Sequence, residues 1–230
     1  MRRFWGFYKN ESYRVGCNGG TVYIYDLDGK ELAKFRDFPY AYTAAFKPNS
    51  NIIAVKSTAG FLGFYNLASL SLIKKITITR HAAQDEGFAF TPDGRYFWNI
   101  ETLAHSCQTQ LSLYDTESFE KVDTLFANER KMVLENLEFD KETGIGYVLG
   151  FMCSCDGGTF SYGFVGKLDV ENSSVTDIHV LDKRQYDYLL WYKSWEGTGF
   201  TEKSFEWNPL NKLDCIEKTS IKAVFDAANS

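Results

Sequence analysis

Short runs of alternating apolar and polar residues recur along the chain, each closed by a cluster of Gly, Asp, Asn or Pro. Alternation at period two sends successive side chains to opposite faces of a strand. Five runs end in an aromatic or apolar residue followed by Asp or Asn, and a second short run follows each. They are 22–26 before 31–35, 62–66 before 71–76, 111–115 before 120–125, 165–169 before 175–180, and 204–208 before 212–216. The anchors Tyr25, Tyr65, Tyr114, Leu168 and Trp207 lie 39 to 54 residues apart. Run, turn and run at this length predict antiparallel hairpins.

A second marker precedes the hairpins. It reads Phe46-Lys47-Pro48-Asn49-Ser50-Asn51, then Phe90-Thr91-Pro92-Asp93-Gly94-Arg95, then Phe139-Asp140-Lys141-Glu142-Thr143-Gly144, and Tyr8-Lys9-Asn10-Glu11-Ser12-Tyr13 fits the same frame. Pro fixes φ at the first turn position, and Asp, Asn and Gly tolerate the left-handed positions that follow. Each repeat therefore predicts four strands, A innermost to D outermost. A unit of about 40–50 residues with four short strands has the dimensions of a propeller blade. The blades are placed at 4–36, 42–77, 86–126, 134–181 and 186–217, in one domain over 1–230. The fifth is short, because only 12 residues separate Tyr192 from Phe205. The tail 220–229 predicts a helix covering one end of the barrel, with Ile221, Val224, Phe225 and Ala228 at i, i+3, i+4 and i+7 and Thr219 or Ser220 as its cap.

The pattern resembles the WD-repeat and related β-propeller families, on Phe90-Thr91-Pro92-Asp93-Gly94 and on Tyr25-Asp26 and Tyr114-Asp115. The resemblance runs over roughly residues 4–181. It implies an all-β fold: a five-bladed β-propeller of four-stranded antiparallel blades, complete or cut short in the last, with a short C-terminal helix.

Composition narrows the function classes. A hydrophobic share of 44% with 17% aromatic is ample for a core and excludes disorder. A formal charge of -5 and the absence of any Lys or Arg run argue against a nucleic-acid partner. No apolar stretch approaches the roughly 18–20 residues that span a bilayer, so no membrane partner is expected. Five cysteines in no disulfide framework point to the reducing cytoplasm. No phosphate-binding loop and no nucleophile elbow occurs, so no cofactor is expected.

Three sets of residues are candidates for chemistry. Loops of adjacent blades bring His81, His105, Cys107, Cys153 and Cys155 toward one rim, as a soft metal in a tetrahedral site would need; small apolar Cys and surface His are the plainer reading. Asp37, Asp85, Glu86, Glu135 and Asp187 fall near the entrances of innermost strands, where paired carboxylates of a glycan hydrolase would stand. Aromatics crowd the stretch from Tyr186 to Trp207, and Tyr40 and Tyr42 lie at an earlier blade junction; such rings anchor peptides or stack on sugars, or fill blade interfaces. The mixed-charge stretches 128–131 and 182–185 read as solvated loops that offer Arg130 and Arg184 to an acidic partner.

Rigid blades with variable loops favour a non-catalytic binding module that takes a protein or peptide on one face. The expected contacts are Tyr40, His81, Glu86, His105, Arg130, Arg184 and Tyr186. A glycan or small-ligand propeller using the axial carboxylates is the alternative, and a Cys/His metal protein the third. A short fifth unit leaves the chain a monomer or a homodimer.

Overall fold

The computed structural model describes residues 4–78, 87–103, 108–154, 159–195 and 220–229. Among them are four four-stranded antiparallel sheets in which neighbours in sequence are neighbours in space. The first holds β1 (Gly6–Lys9), β2 (Arg14–Cys17), β3 (Val22–Tyr25) and β4 (Glu31–Phe35). The second holds β5 (Ala41–Phe46), β6 (Ile52–Ser57), β7 (Phe61–Asn66) and β8 (Ser71–Thr77). The third holds β9 (Phe88–Phe90), β10 (Tyr96–Thr102), β11 (Thr109–Asp115) and β12 (Lys121–Leu125). The fourth holds β13 (Met132–Phe139), β14 (Gly146–Cys153), β15 (Phe160–Asp169) and β16 (Ser174–Leu181). Helices α1 (Lys183–Trp195) and α2 (Ile221–Ala228) follow. The described residues fall into two compact units, one with β1–β8 and one with β9–β16, α2 and all but the last residue of α1.

The aromatic-plus-acid marker has a local cause. The acid or amide that ends the third strand of each sheet turns back onto the following backbone. Asp26 Oδ1 accepts from the Lys30 amide at 2.8 Å and Asn66 Oδ1 from Ala68 and Ser69 at 2.9 and 3.1 Å. Asp115 Oδ1 takes the amides of Glu117 and Ser118 at 3.0 and 2.8 Å, and Asp169 Oδ1 that of Asn172 at 3.1 Å. Asp and Asn are favoured because their short side chains imitate a backbone turn. The residue before the acid or amide turns inward in three of the four: Tyr65, Tyr114 and Leu168 are buried, and Tyr25 is half-buried. The upstream marker works in the same manner. Gly94 at φ 71° and Gly144 at φ 73° close the turns after Thr91 and Asp140, each donating its amide back at 2.8 Å.

Middle strands are buried on both faces, while the outermost strands are mostly exposed or half-buried and bury only an end residue such as Phe35 or Leu181. Val15, Ile24, Phe35, Phe38, Ile53, Val55 and Tyr65 join the first two sheets in one core. Trp98, Ile100, Leu111, Leu134, Val148 and Phe164 join the third and fourth. The opposite face of the fourth sheet carries Tyr147, Leu149, Val165 and Leu181, and here Tyr186 and Leu189 of α1 and Ile221 and Phe225 of α2 complete the core. Burying Ile221 and Phe225 is worth about 1.5–3 kcal/mol each. Ser220 caps α2 as expected, its hydroxyl accepting from the Ala223 amide at 2.9 Å.

Two expectations are corrected. Four sheets, not five, are present among the described residues. Residues 188–192, expected as a strand of the fifth blade 186–217, are helical in α1. The cause is a reciprocal cap. Asp182 Oδ1 accepts from the Arg184 and Gln185 amides at 2.9 Å each, while Gln185 Oε1 takes the Asp182 amide at 3.2 Å. Lys183 pairs with Asp187 one turn on, at 2.5 Å. The second correction concerns α2, which packs on the face of the fourth sheet where a further blade would stack, rather than over an end of a barrel. Residues 196–217 of the expected blade lie outside the described residues.

Candidate functional site

An exposed aromatic cluster lies on the first unit, where the inner strands of its two sheets begin. Trp5 precedes β1, Tyr40 precedes β5, and Tyr42 is the second residue of β5. The Trp5 amide donates to the Cys17 carbonyl at 2.8 Å, and Gly19 and Ala41 exchange amide-to-carbonyl bonds at 3.0 and 3.1 Å. The Trp5 bond extends the first sheet, and the Gly19–Ala41 pair ties the two sheets together at one rim. Trp5 meets Tyr42 edge to face at 5.9 Å and 82°, and Tyr42 meets Tyr40 at 6.5 Å and 34°. Trp5 is 43% exposed and Tyr40 is 55% exposed. Gly19, at φ 85°, lies under the Tyr42 ring, and a Cβ there would stand 2.8 Å from it. Beside it Gly20 opens on empty space.

Tyr40 has φ 57°, a left-handed backbone that a bulky residue adopts at a cost of order 1–3 kcal/mol. Its neighbours hold it there. The Thr58 amide donates to the Tyr40 carbonyl at 3.0 Å, and the buried Ser57 hydroxyl donates to the Pro39 carbonyl. The same hydroxyl accepts from the Ala59 amide at 3.0 Å. A polar group stands in the same loop: Arg36, exposed, donates Nε to Thr21 Oγ1 at 3.1 Å. Beneath the rim Cys17 is fully buried, and burial pushes its thiol up to about 12, so it is core filling rather than a nucleophile.

The other expected contacts are scattered. Arg130 is exposed before β13 and Arg184 is exposed in the first turn of α1. Tyr186 is buried on α1, its ring against Gly163 and at 5.2 Å from Phe160, so it serves the core. Burial first, then the Glu135 and Asp187 charges, hold its hydroxyl far above the ordinary value. His81, Glu86 and His105 lie outside the described residues.

Of the expected metal ligands, His81, His105, Cys107 and Cys155 lie outside the described residues. Cys153 ends β14, buried, with its amide on the Lys131 carbonyl at 2.6 Å. Among the described residues no group of three His, Cys, Asp or Glu is placed to hold a metal ion. The carboxylates are engaged locally. Asp37 accepts from the Tyr65 hydroxyl at 2.9 Å, Glu135 from Tyr186, and Asp187 from Lys183; Asp85 lies outside the described residues.

Several anchoring residues went unread in the sequence. Trp5 is one, a single ring in a short aromatic run. Glu138 is another: Oε2 pairs with Lys193 of α1 at 2.9 Å and Oε1 takes the Lys222 amide at the start of α2 at 2.8 Å. One carboxylate thus fastens both helices to the sheet. On the third sheet Glu101, 2% exposed, accepts from Asn99, Gln110 and Tyr114 at 3.3, 3.2 and 3.0 Å. Burial and then the Glu101 charge push the Tyr114 hydroxyl far up, with Ser112 acting weakly against them. Cross-strand register places these residues on one face, and only coordinates give that register.

No protein-family model matches the chain, and no curated protein does. Solved structures do: 1101 chains match, which marks a widespread fold and so carries no single function. One is hydrazine synthase of Kuenenia stuttgartiensis, with TM-score 0.60 and 14% identity, covering 75% of this chain and 47% of that one. The chain therefore spans less than half of that protein, and the likeness is one of fold. With four up-and-down four-stranded sheets, the fold is β-propeller-like. No described helix is long and apolar enough to cross a membrane.

Proposed function

We propose that this chain is a non-catalytic binding module, a cytoplasmic propeller of the WD-repeat kind, that takes a protein or peptide on the rim carrying Trp5, Tyr40 and Tyr42. The carrying observation is Tyr40, an aromatic ring kept in solvent by a strained backbone that surrounding hydrogen bonds impose. Strain of this kind persists where neighbours over-determine it, and it clusters at ligand clamps. Rings fixed in advance lose little entropy on binding and supply much contact area. Arg36, exposed in the loop that carries Tyr40, adds a positive charge there.

Selection of peptides from a random display library against the purified protein tests this reading. Trp5→Ala with Tyr40→Ala is expected to abolish binding of the selected peptides while the unfolding midpoint stays within a degree or two of the parent. Peptides that bind the double variant as tightly as the parent would remove the rim from the function. A glycan array run in parallel tests the alternative, since sugars also stack on exposed rings. Selective glycan binding lost in the same variant, with no peptide selected, would replace the peptide by a sugar.

A further inference from the structure

The loop between the third and fourth sheets holds three backbone amides aimed at one point. The amides of Arg130, Lys131 and Met132 donate to a single oxygen, Glu129 Oε1, at 2.8, 2.7 and 3.2 Å. Successive amides converging in this way form a concavity for an oxyanion. The oxygen in it is a carboxylate supplied by the chain itself.

Three features set this loop apart from the Asp and Asn turns elsewhere in the molecule. Those side chains are short and locked into the turn they make, whereas Glu129 reaches round on a longer stem, half-buried, with more rotors to hold still. Arg130 and Lys131 are both exposed, and neither makes an ion pair among the described residues. The loop is also braced at both ends. The Glu129 amide donates to Phe126 at 3.0 Å, Cys153 donates to the Lys131 carbonyl at 2.6 Å, and Gln108 Nε2 donates to the Ala127 carbonyl at 2.8 Å. Ser173 Oγ accepts from the Phe126 amide at 3.2 Å. The concavity is thus preformed, flanked by two cations without acidic partners among the described residues, and filled by a carboxylate on a rotatable stem.

We infer that residues 129–132 form an oxyanion site for an acidic side chain of a peptide partner, with Glu129 as the resident competitor that the partner displaces. An incoming carboxylate takes the three amides, and Arg130 and Lys131 close on its remaining oxygen and on neighbouring charge. Glu129 then turns to solvent, where its charge is hydrated. That the oxyanion arrives on a peptide rests on the reading above; the oxyanion chemistry rests on this loop alone.

The test uses the full chain and three probes: an octapeptide of alternating Glu and Ser, its counterpart with Gln for Glu, and inorganic phosphate. Amide shifts at 130–132 and calorimetry are followed in the parent, in Glu129→Gln and in Arg130→Ala with Lys131→Ala. Gln keeps the loop capped by a neutral oxygen and removes the competing charge. Glu129→Gln is expected to bind the acidic octapeptide about tenfold more tightly than the parent, and the double variant about tenfold less tightly, since one charged contact is worth roughly that factor. Phosphate is expected to shift the same three amides. Equal affinities in parent and Glu129→Gln, or equal binding of the Gln octapeptide, would overturn the site. Phosphate binding without peptide binding would overturn the peptide as its source. Peptide binding at 130–132 that survives Trp5→Ala with Tyr40→Ala keeps this site even if the aromatic rim fails.

Discussion

Tyr40 and Tyr186 look alike in the sequence, each in an aromatic-rich stretch with an acid within three residues, yet the molecule uses them in opposite ways. Tyr40 is held in water by a left-handed backbone, with its ring resting on Tyr42 at the rim. Tyr186 is 4% exposed, its ring pressed onto Gly163 and its hydroxyl tied to Glu135. The difference lies in what each backbone is bonded to. Around Tyr40 the hydrogen bonds run from Ser57 and Thr58 to main-chain carbonyls and dictate a turn. Around Tyr186 a helix cap points one face of α1 at the fourth sheet. Composition tells how many rings a segment has; backbone hydrogen bonding tells which of them are spent on the core.

The largest expected effect is the one that separates the two tyrosines outright. Tyr186→Ala empties a packed site and should cost about 3–5 kcal/mol in chemical denaturation, as large aromatic deletions do. Tyr40→Ala should stay within about 0.5 kcal/mol, as exposed positions do. Similar losses for both would erase the contrast.

Next comes Gly163→Ala, whose methyl is driven into the Tyr186 ring and should cost about 1–3 kcal/mol. The same change made on top of Tyr186→Ala should cost far less, and a double-mutant cycle with no coupling would show that the ring does not depend on that glycine. Tyr40→Gly sharpens the other side. Relief of the left-handed backbone should raise stability by about 1 kcal/mol while ligand binding is lost. A variant that is both less stable and still binding would contradict the role given to the strain.

The smallest effect concerns the turns that both units share. Asp115 is held below the ordinary carboxylate range first by the Ser118 amide, Asp140 by the Glu142 amide, and Asp169 by the Asn172 side chain. A lowered folded-state value means these groups stabilise the fold above the unfolded value of about 3.9, and the benefit fades as pH falls through it toward the lowered value. Asp115→Asn keeps an acceptor without the charge, so its denaturation midpoint should fall less steeply than the parent's from about pH 5 to pH 2. Parallel curves would show that the turn does not feel the charge.

The strands were largely legible because apolar and aromatic runs alternate with tight turns, and because each hairpin carries an acid or amide that its turn needs. The acid or amide at the end of β3, β7, β11 and β15 marks such a turn in each of the four sheets. α1 was not legible. The run 188–192 is apolar at every position, which fits a strand buried on both faces as well as a helix. The deciding signal, Asp182 followed three residues later by Gln185, sat in a stretch that reads as a solvated loop. The candidate site was legible by residue but not by geometry: Tyr40 could be named, while its exposure follows from φ 57° and from Ser57, seventeen residues away. Trp5 and Glu138 act through partners distant in sequence, Tyr42 for one and Lys193 and Lys222 for the other. No local pattern announces such pairings.

The covering of the fourth sheet by α1 and α2 has a bearing on how the chain is made. Leu181 leaves the ribosome well before Ile221, so the patch of Tyr147, Leu149 and Val165 waits bare until the last cover arrives. During that interval the nascent protein carries an oily surface on which a neighbouring chain can stick, and chaperones have most reason to attend to it there.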